Sequence, residues 1–320
     1  MAGEVIVWLE EIGKQDVALA GGKGANLGEL VRAGIPVPPG FVVTSRCYEE
    51  YLECTGLRGE LADVLAGLDH RASQALQQAS HAAKRRIEAT PMPEEFAEAI
   101  RQSYDRLGGG RVAVRSSATA EDLAEASFAG QQSSFLNVVG AEWVVEAVRA
   151  CWASLFEPQA IFYRAENGFE HLSVAIAVPV QSMVQSERSG VMFTVNPVTH
   201  DAGRIVIEAV YGLGEAAVSG QVTPDMYIVD KASLAILERS ISEQEQKLAY
   251  DPAAGGLHPN VWRSVPPDRA GLPKLSDDEV AALARLGLQV EAHYGSPQDI
   301  EWAMEGDRLF LLQARPVTTL

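Results

Sequence analysis

A C-terminal segment of alternating residues constrains the fold of this chain more than any other part of the sequence. The segment DIEWAMEGDRLFLLQAR, at 299–315, alternates apolar and polar residues on either side of a Glu-Gly-Asp turn. A period of two is typical of a β-hairpin in which one face of each strand is buried. We expect the turn at 305–307, with Met304 opposite Arg308. The chain is therefore expected to build at least one antiparallel sheet.

The two faces of this predicted hairpin differ in character. One face is expected to pack on a core and carries Ile300, Trp302, Met304, Phe310, Leu312 and Ala314. The other brings together Asp299, Glu301, Gln313 and Arg315, with Leu309 and Leu311 toward the turn. Carboxylate and amide oxygens suit Mg²⁺, and an arginine beside them can bind a phosphate with two hydrogen bonds. The alternative is a solvated sheet face with a salt bridge.

Glycine-rich segments offer further phosphate-binding candidates. GGKG at 21–24 precedes a helical pattern, so backbone N–H groups and Lys23 can hold a phosphate, although a plain glycine turn explains it equally well. It is neither a Walker A loop nor a GxGxxG motif.

Arg115 ends a predicted strand before the long polar loop SATAEDLAEASFAGQQ. This position fits phosphate binding by Arg115 or a surface salt bridge. GLGE at 212–215 is better explained as a turn.

Composition limits the possible partners. The 320 residues include 43 acidic and 26 basic ones, a formal net charge of -17, which argues against general binding to nucleic acid or anionic membranes. No apolar run approaches the ~20 residues that span a bilayer, and the N-terminus lacks a signal-peptide pattern. Three cysteines without a C-x-x-C pair predict no disulfide framework and no structural zinc, and they favour a cytoplasmic protein.

The length and a change in composition along the chain predict two parts. At about 150 residues per domain we expect two subdomains, and the polar segment VQSERSG places their boundary near residue 185. Residues 59–107 are rich in helix formers and predict a helical layer in the N-terminal part. His81 lies in that layer and is expected to be an ordinary surface histidine of a helix.

The segments occur in an order that resembles a known family. They are GGKGANLGELVRAGIPVPPGFVVT, AVRSSATAEDLAEASFAGQQSSFLNV, CWASLF, VQSMV, SGVMFT, GLGEAAVSGQVTPD, PQDIEWA and LLQARPVT. This set is similar to the nucleotide-binding domain of the phosphoenolpyruvate-utilising dikinases, which include phosphoenolpyruvate synthase, pyruvate phosphate dikinase and rifampin phosphotransferase. The resemblance runs from about Gly21 to Thr318. NPVTHD, GLGEAAVSG and QARPVTTL look closer to rifampin phosphotransferase.

The resemblance implies an ATP-grasp fold, in which two α+β subdomains, 1–185 and 186–320, clasp ATP between them. In the first subdomain it implies that Lys23 and Arg115 hold the phosphates. A loop containing Gly130 and Ser134 is expected to close over them. The residues expected to border the adenine are Gln181, Met183 and Val184.

In the second subdomain the resemblance gives the terminal hairpin a role. It implies that Glu301 and Gln313 ligate Mg²⁺ and that Arg315 contacts the phosphates. This agrees with the polar face that the alternation predicts. Glu208 and Glu215 are further acidic candidates near the phosphates, and no role follows for either.

The implied chemistry requires more than this sequence. In the family ATP gives its β-phosphoryl group to a histidine on a swivelling domain, which phosphorylates the acceptor and leaves AMP and phosphate. Rifampin phosphotransferase, an antibiotic-resistance enzyme, is the expected identity; with rifampin and water it yields phosphorylated rifampin. The sequence contains no Gly-Gly-x-Thr-Ser-His-type segment and no acceptor-binding domain. We therefore expect the chain to bind ATP without completing phosphotransfer, its partner domains lying on the same or a separate polypeptide.

Three other interpretations stay open. The chain can be the corresponding domain of phosphoenolpyruvate synthase, whose acceptor is pyruvate. It can be a stand-alone ATP-binding module that acts with a partner protein. It can also be an ATP-grasp carboxylate ligase that releases ADP, which the motif set matches poorly.

Overall fold

The computed structural model describes residues 5–119 and 133–317, which divide into two compact units. Unit 1 consists of Met1–Gly28, Pro39–Met183 and Gly255–His258. Unit 2 consists of Glu29–Pro38, Val184–Ala254 and Pro259–Leu320. Neither unit is one continuous stretch of chain, and the division into ATP-grasp subdomains 1–185 and 186–320 stays a prediction.

The described residues form a mixture of helices and strands, which is an α+β architecture. The helices are α1 (Val17–Arg32), α2 (Ser45–Cys54), α3 (Leu57–Leu65), α4 (Ser73–Ala89), α5 (Glu94–Arg106), α6 (Ala141–Ala153), α7 (Pro158–Glu166), α8 (Glu215–Val218), α9 (Pro267–Ala270) and α10 (Asp277–Tyr294). The strands are β1 (Ile6–Trp8), β2 (Gly40–Val43), β3 (Val112–Arg115), β4 (Ser117–Ala118), β5 (Ser134–Val138), β6 (Ile176–Ser182), β7 (Arg188–Phe193), β8 (Arg204–Tyr211), β9 (Asp225–Asp230), β10 (Ile236–Ser240), β11 (Gln246–Tyr250), β12 (Asn260–Ser264), β13 (Gln298–Glu305) and β14 (Arg308–Pro316). Short 3-10 helices lie at Leu9–Glu11, Lys14–Asp16 and Ser154–Phe156.

The sheet of unit 1 has the order β1-β2-β6-β3-β5, with β4 also paired to β6. Because side chains alternate along each strand, one face carries Val114 and Val178, which join a core formed with helices α2 to α7. Helix α1 lies on the other face, where a Cβ at Gly24 would be 3.2 Å from Val42 Cγ2. His81 is exposed on α4, as an ordinary helix-surface histidine would be.

The sheet of unit 2 has the order β10-β9-β8-β7-β13-β14, and every neighbouring pair is antiparallel. Its core face packs on α10, where a Cβ at Gly287 would lie 2.8 Å from Met192 Cε. Helix α10 begins with a capping box, in which the Glu279 N–H donates to Ser276 Oγ and the Ser276 N–H donates to the Glu279 carboxylate. No helix within 5–119 or 133–317 is long and apolar enough to cross a membrane.

The terminal hairpin forms, but its turn differs from the expected one. Glu305 pairs with Arg308, so Gly306 and Asp307 alone form the turn, and the expected pairing of Met304 with Arg308 is wrong by one residue. A two-residue turn fits the twist of the strands when its first residue adopts positive φ, and Gly306 has φ 58°.

A β-bulge at Leu312 makes a second shift that compensates for the first. Glu301 pairs with Gln313 while Trp302 pairs with Leu311, so the register of β14 steps over Leu312. The buried leucine is therefore Leu311, and the expected burial of Phe310 and Leu312 on the core face is wrong, since both are only half-buried. Beyond the bulge the strands return to the alternation that the sequence predicts.

Candidate functional site

In unit 1, the glycine loop of α1 packs tightly against β4. Gly21 interrupts the helix with φ 65°, and a Cβ on it would lie 2.2 Å from Ser117 Oγ. The Lys23 N–H donates to the same Ser117 hydroxyl at 3.0 Å, and Lys23 Nζ donates to the Ser116 carbonyl at 3.3 Å. Glycine is required at position 21 by both its φ and this close approach. The loop therefore holds Lys23 beside the end of β3.

Arg115 and Ser134 meet at that same end of the sheet. They are register partners on β3 and β5, and Ser134 is exposed while Arg115 is half-buried. Lys23 lies against Ser116, the residue that follows Arg115. The structure thus brings together three of the residues that the resemblance assigns to the phosphates. Gly130, the fourth residue of the phosphate-binding set, lies outside the described residues.

Gln181 lies on the face of the sheet that also carries Arg115. It is buried and pairs with Ala113, two residues before Arg115 on β3. Because alternate residues share a face, Arg115 and Gln181 are directed away from the core that contains Val114 and Val180. This is the face that helix α1 and its glycine loop also occupy.

The segment after Gln181 passes the start of β3, at the opposite end of that strand from Arg115, and then leaves unit 1. The Met183 N–H donates to the Arg111 carbonyl at 2.9 Å, and Met183 is the last residue of this part of the unit. Val184 is buried and opens the next part of unit 2. The segment predicted to border the adenine is therefore also the segment in which the chain passes between the units.

In unit 2, the polar face of the hairpin assembles as two cross-strand pairs. Glu301 pairs with Gln313, and Asp299 pairs with Arg315. Arg315 Nε and Nη2 each lie 2.8 Å from Asp299 Oδ2, so a carboxylate holds this half-exposed guanidinium. Gln313 Oε1 is buried and accepts no hydrogen bond from the part of the chain that the structure describes. A buried amide oxygen that accepts no hydrogen bond from these residues is suited to coordinate a cation.

Glu208 shares this face, although sequence analysis assigned it no role. The register runs from Glu208 on β8 through Val191 on β7 to Glu301 on β13. Burial raises the pKa of Glu208, and the charge of Asp299 raises it further. Burial also raises the pKa of Asp299; Glu301 adds to the shift and Arg315 opposes it. The face therefore concentrates negative charge that a cation would offset.

A metal ion on this face would need ligands beyond carboxylates. Among residues 5–119 and 133–317, no group of three or more His, Cys, Asp or Glu side chains is arranged to hold a metal. Glu301 and the Gln313 amide oxygen supply hard oxygen donors of the kind that Mg²⁺ takes together with water and phosphate oxygens. The donor set thus fits a Mg²⁺ ion that arrives with a phosphate ligand.

The GLGE segment is a structural turn. Gly212 has φ 86°, and a Cβ on it would lie 2.5 Å from the Leu248 carbonyl oxygen. Its own carbonyl accepts hydrogen bonds from the hydroxyls of Ser186 and Ser189. Glu215 follows as an exposed residue in the first turn of α8. The geometry gives this segment a packing role.

Ser117 is the residue that sequence analysis missed. It accepts the Lys23 N–H and sets the space available at Gly21. The only signal was a pair of hydroxyl residues after Arg115, which does not predict contact with a loop about ninety residues earlier.

Comparison with known proteins identifies the family. The model of the pyruvate phosphate dikinase AMP/ATP-binding domain matches residues 17–320. A probable phosphoenolpyruvate synthase of Methanothermobacter thermautotrophicus is 52% identical over 322 residues, which cover 98% of this chain and 46% of the relative. The phosphoenolpyruvate synthase of Pyrococcus furiosus is 43% identical over 362 residues, covering 100% of this chain and 44% of the relative.

The chain spans less than half the length of these curated relatives, and only 27% of a probable phosphoenolpyruvate synthase from Methanocaldococcus jannaschii that is 48% identical. The comparisons give no support to rifampin phosphotransferase or to antibiotic resistance, and the phosphoenolpyruvate synthase alternative fits them better. The short motifs that favoured the antibiotic enzyme do not outweigh identity along the whole chain. The chain belongs to the pyruvate phosphate dikinase AMP/ATP-binding domain family.

Proposed function

We propose that this chain is the ATP-binding, phosphoryl-donating part of a dikinase of the phosphoenolpyruvate synthase type. The observation that carries the proposal is the polar face of unit 2, where an orphaned Gln313 oxygen lies beside Glu301 and a carboxylate-held Arg315. In a chain that matches an AMP/ATP-binding domain, this set suits a metal-bound polyphosphate.

Unit 1 supplies positive charge for the phosphates in this proposal. Lys23 and Arg115 stand at one end of the sheet, with the exposed Ser134 opposite Arg115. Positive side chains on a fixed backbone stabilise the charge of a transferring phosphoryl group without reorganising during the reaction. In this proposal Gly130 belongs to the loop that closes over the phosphates, and Ser134, the first residue of β5, adjoins that loop.

Unit 2 supplies the ligands for Mg²⁺. Glu301 and Gln313 would hold the ion, which when bound neutralises phosphate charge and orients the phosphoryl group. Arg315, kept in place by Asp299, donates hydrogen bonds to phosphate oxygens. Phosphoryl transfer depends mostly on positioning and charge, which these residues provide.

The adenine lies against Gln181, Met183 and Val184 in this proposal, and residues 1–185 and 186–320 act as the two subdomains of an ATP-grasp fold. Closure of such a clasp excludes water and so limits idle hydrolysis of ATP.

The rest of the reaction lies in other polypeptide segments. The β-phosphoryl group of ATP passes to a histidine on a swivelling domain and then to the acceptor, and water takes the γ-phosphoryl group, so that AMP and phosphate are released. The names of the relatives favour pyruvate as that acceptor. Their greater length provides room for both further domains.

Calorimetric titration with ATP tests the nucleotide site. We expect the chain to bind ATP with Mg²⁺ much more tightly than ATP with EDTA. Glu301→Gln should weaken Mg–ATP binding about 100-fold, since a ligand charge is lost at the metal. Glu305→Gln, on the same strand beside the turn, is the matched control and should leave affinity unchanged. Equal affinities for the two variants would refute the metal assignment.

A fusion protein tests the donor role. Residues 1–320 would replace the matching segment of the full-length Methanothermobacter thermautotrophicus relative, and AMP release would be followed with pyruvate or rifampin. We expect pyruvate-dependent AMP release, no response to rifampin, and no AMP release by the 320-residue chain alone. ATP binding without pyruvate-dependent AMP release in the fusion would instead indicate a binding module.

A further inference from the structure

The core of unit 1 contains an arginine whose contacts in the described ranges are all with uncharged groups. Arg164, on α7, is fully buried. Its Nη2 donates to the Leu155 carbonyl at 2.6 Å, its Nε donates to His171 Nδ1 at 3.4 Å, and its guanidinium lies 5.7 Å from the centre of the Phe156 ring. Its Nη1 is buried and has no hydrogen-bond partner among the described residues.

Arg164 stays charged at pH 7 although burial opposes its charge. Burial lowers the pKa of Arg164 to about 10. Burial also lowers the pKa of His171, and the charge of Arg164 lowers it further, so this histidine is neutral at pH 7. Glu157 and Glu166, the carboxylates at the two ends of α7, each form a salt bridge with another cation. The described part of the chain therefore supplies no counter-ion for this guanidinium.

A second orphaned donor lies in the same part of this core. Trp152, in the last turn of α6, is fully buried, and its Nε1 has no hydrogen-bond partner within 5–119 and 133–317. Its ring packs on Tyr48, with the ring centres 5.8 Å apart. Burial raises the pKa of Tyr48 and the charge of Arg164 opposes that rise, so the guanidinium also acts on this tyrosine. Trp152 and Leu155, which accepts from Arg164, lie on one continuous helical segment.

The kind of group that satisfies both donors follows from charge and hydrogen-bonding capacity. A buried water molecule needs acceptors for its own protons, and it leaves the arginine charge unpaired. Among the described residues of unit 1, the one orphaned buried side-chain atom able to accept is Ser116 Oγ, between β3 and β4. A halide ion accepts from both N–H groups and supplies a single negative charge. A polyvalent anion would bury charge that one guanidinium does not balance.

We propose that the core of unit 1 binds a small monovalent anion of the halide class, held by Arg164 Nη1 and Trp152 Nε1. The site joins α6 to α7 and goes beyond the proposed function, because it uses none of the residues assigned to ATP. An anion that binds the folded chain and not the unfolded chain stabilises the fold by mass action.

Thermal unfolding of the 320-residue chain tests the site, with sodium chloride replacing sodium gluconate at constant ionic strength. Gluconate has the same charge as chloride but is too large for a buried position. We expect Tm to rise along a saturating curve, by about 3 °C when chloride is about tenfold above its Kd. In crystals grown with bromide, an anomalous peak should lie within hydrogen-bonding distance of Arg164 Nη1 and Trp152 Nε1.

Three variants show which side chains hold the anion. Arg164→Met should abolish the chloride dependence of Tm, and it should fold because an apolar chain replaces an unpaired buried charge. Trp152→Phe keeps an aromatic ring and should weaken chloride binding about fivefold through the loss of one donor. Arg149→Met is the matched control: Arg149 also has an orphaned Nε, but a salt bridge with Glu146 balances its charge. It should keep the full chloride response.

Each possible outcome supports or overturns the anion site without touching the ATP site. A Tm that does not change as chloride replaces gluconate would mean that water satisfies the two donors, and would overturn the proposal. Bromide peaks at the protein surface alone would show adventitious ions only, with the same consequence. A chloride response in Arg164→Met or Trp152→Phe equal to that of Arg149→Met would also overturn the site. Mg–ATP binding by the unsubstituted chain is measured separately, and its loss would overturn the proposed function alone.

Discussion

The polar sites of the two units are held by different forces. In unit 1 the glycine loop packs closely against Ser117, and the Lys23 ammonium donates a hydrogen bond to a backbone carbonyl. In unit 2 the Arg315 guanidinium is held by Asp299, on a face crowded with carboxylates. The first site is fixed by close packing and the second by charge. In the proposed function, phosphate oxygens complement the charge of the first site and a cation complements the charge of the second.

This difference separates two kinds of mutational effect. A site fixed by packing should fail when an atom is added, with little dependence on pH or salt. A site fixed by charge should respond to removal of a charge, and its response should vary with pH. Variants chosen in each unit therefore test whether packing fixes the first site and charge fixes the second.

The largest effect is expected from Gly21→Ala in unit 1. The added Cβ would lie 2.2 Å from Ser117 Oγ and 2.4 Å from the Ser117 carbonyl oxygen, in addition to the strain at φ 65°. We expect the free energy of unfolding to fall by about 3 kcal/mol or more. Gly34→Ala is the control, because Gly34 has φ 71° with no atom within 4 Å of the added Cβ, and should cost about 1 kcal/mol. Urea unfolding measures the free energy of unfolding of both variants. Equal decreases would show that the contact between residue 21 and Ser117 is not tight.

The same contrast explains what the sequence could predict. Alternation along the terminal hairpin is local, so it predicted that Asp299, Glu301, Gln313 and Arg315 share a face. The two-residue turn and the bulge at Leu312 depend on how β14 meets β13, which alternation does not contain. The polar set was still predicted because the two shifts add up to two residues, which returns each side chain beyond the bulge to its expected face.

In unit 1 the phosphate-binding candidates were predicted from the glycine loop and from the family resemblance. The packing that holds these residues in place could not be predicted. The need for glycine at position 21 arises from Ser117, far away in sequence. Glu208 was noted only as an acidic residue, because its neighbours Val191 and Glu301 are set by the order of strands across the sheet. Contacts that depend on strand order have no local signal.

An intermediate effect is expected from Arg315→Lys in unit 2. Lysine keeps the charge but loses the planar fork that contacts Asp299 through Nε and Nη2 and that we propose also binds a phosphate. We expect the Kd for Mg–ATP to rise about tenfold, which is about 1.4 kcal/mol. Arg308→Lys, on the same strand and exposed near the turn, should leave the Kd unchanged. Titration calorimetry measures the Kd for Mg–ATP of both variants. A Kd for Arg315→Lys equal to that of the control would argue against a phosphate contact.

The smallest effect is expected from Glu208→Gln, and its sign is the informative part. Burial and Asp299 raise the pKa of Glu208 above the ordinary 4.5, so its charge destabilises the folded protein. That cost is absent below the ordinary pKa of the unfolded chain, grows as the pH rises through the folded-state value, and is complete at pH 7. Removing the charge should therefore raise Tm at pH 7 by about 2 °C and leave it unchanged at pH 4. Glu238→Gln, an exposed glutamate on β10, should have no effect at either pH. A gain for Glu208→Gln that persists at pH 4 would mean that packing, and not charge, limits this face, and the contrast between the two units would be lost.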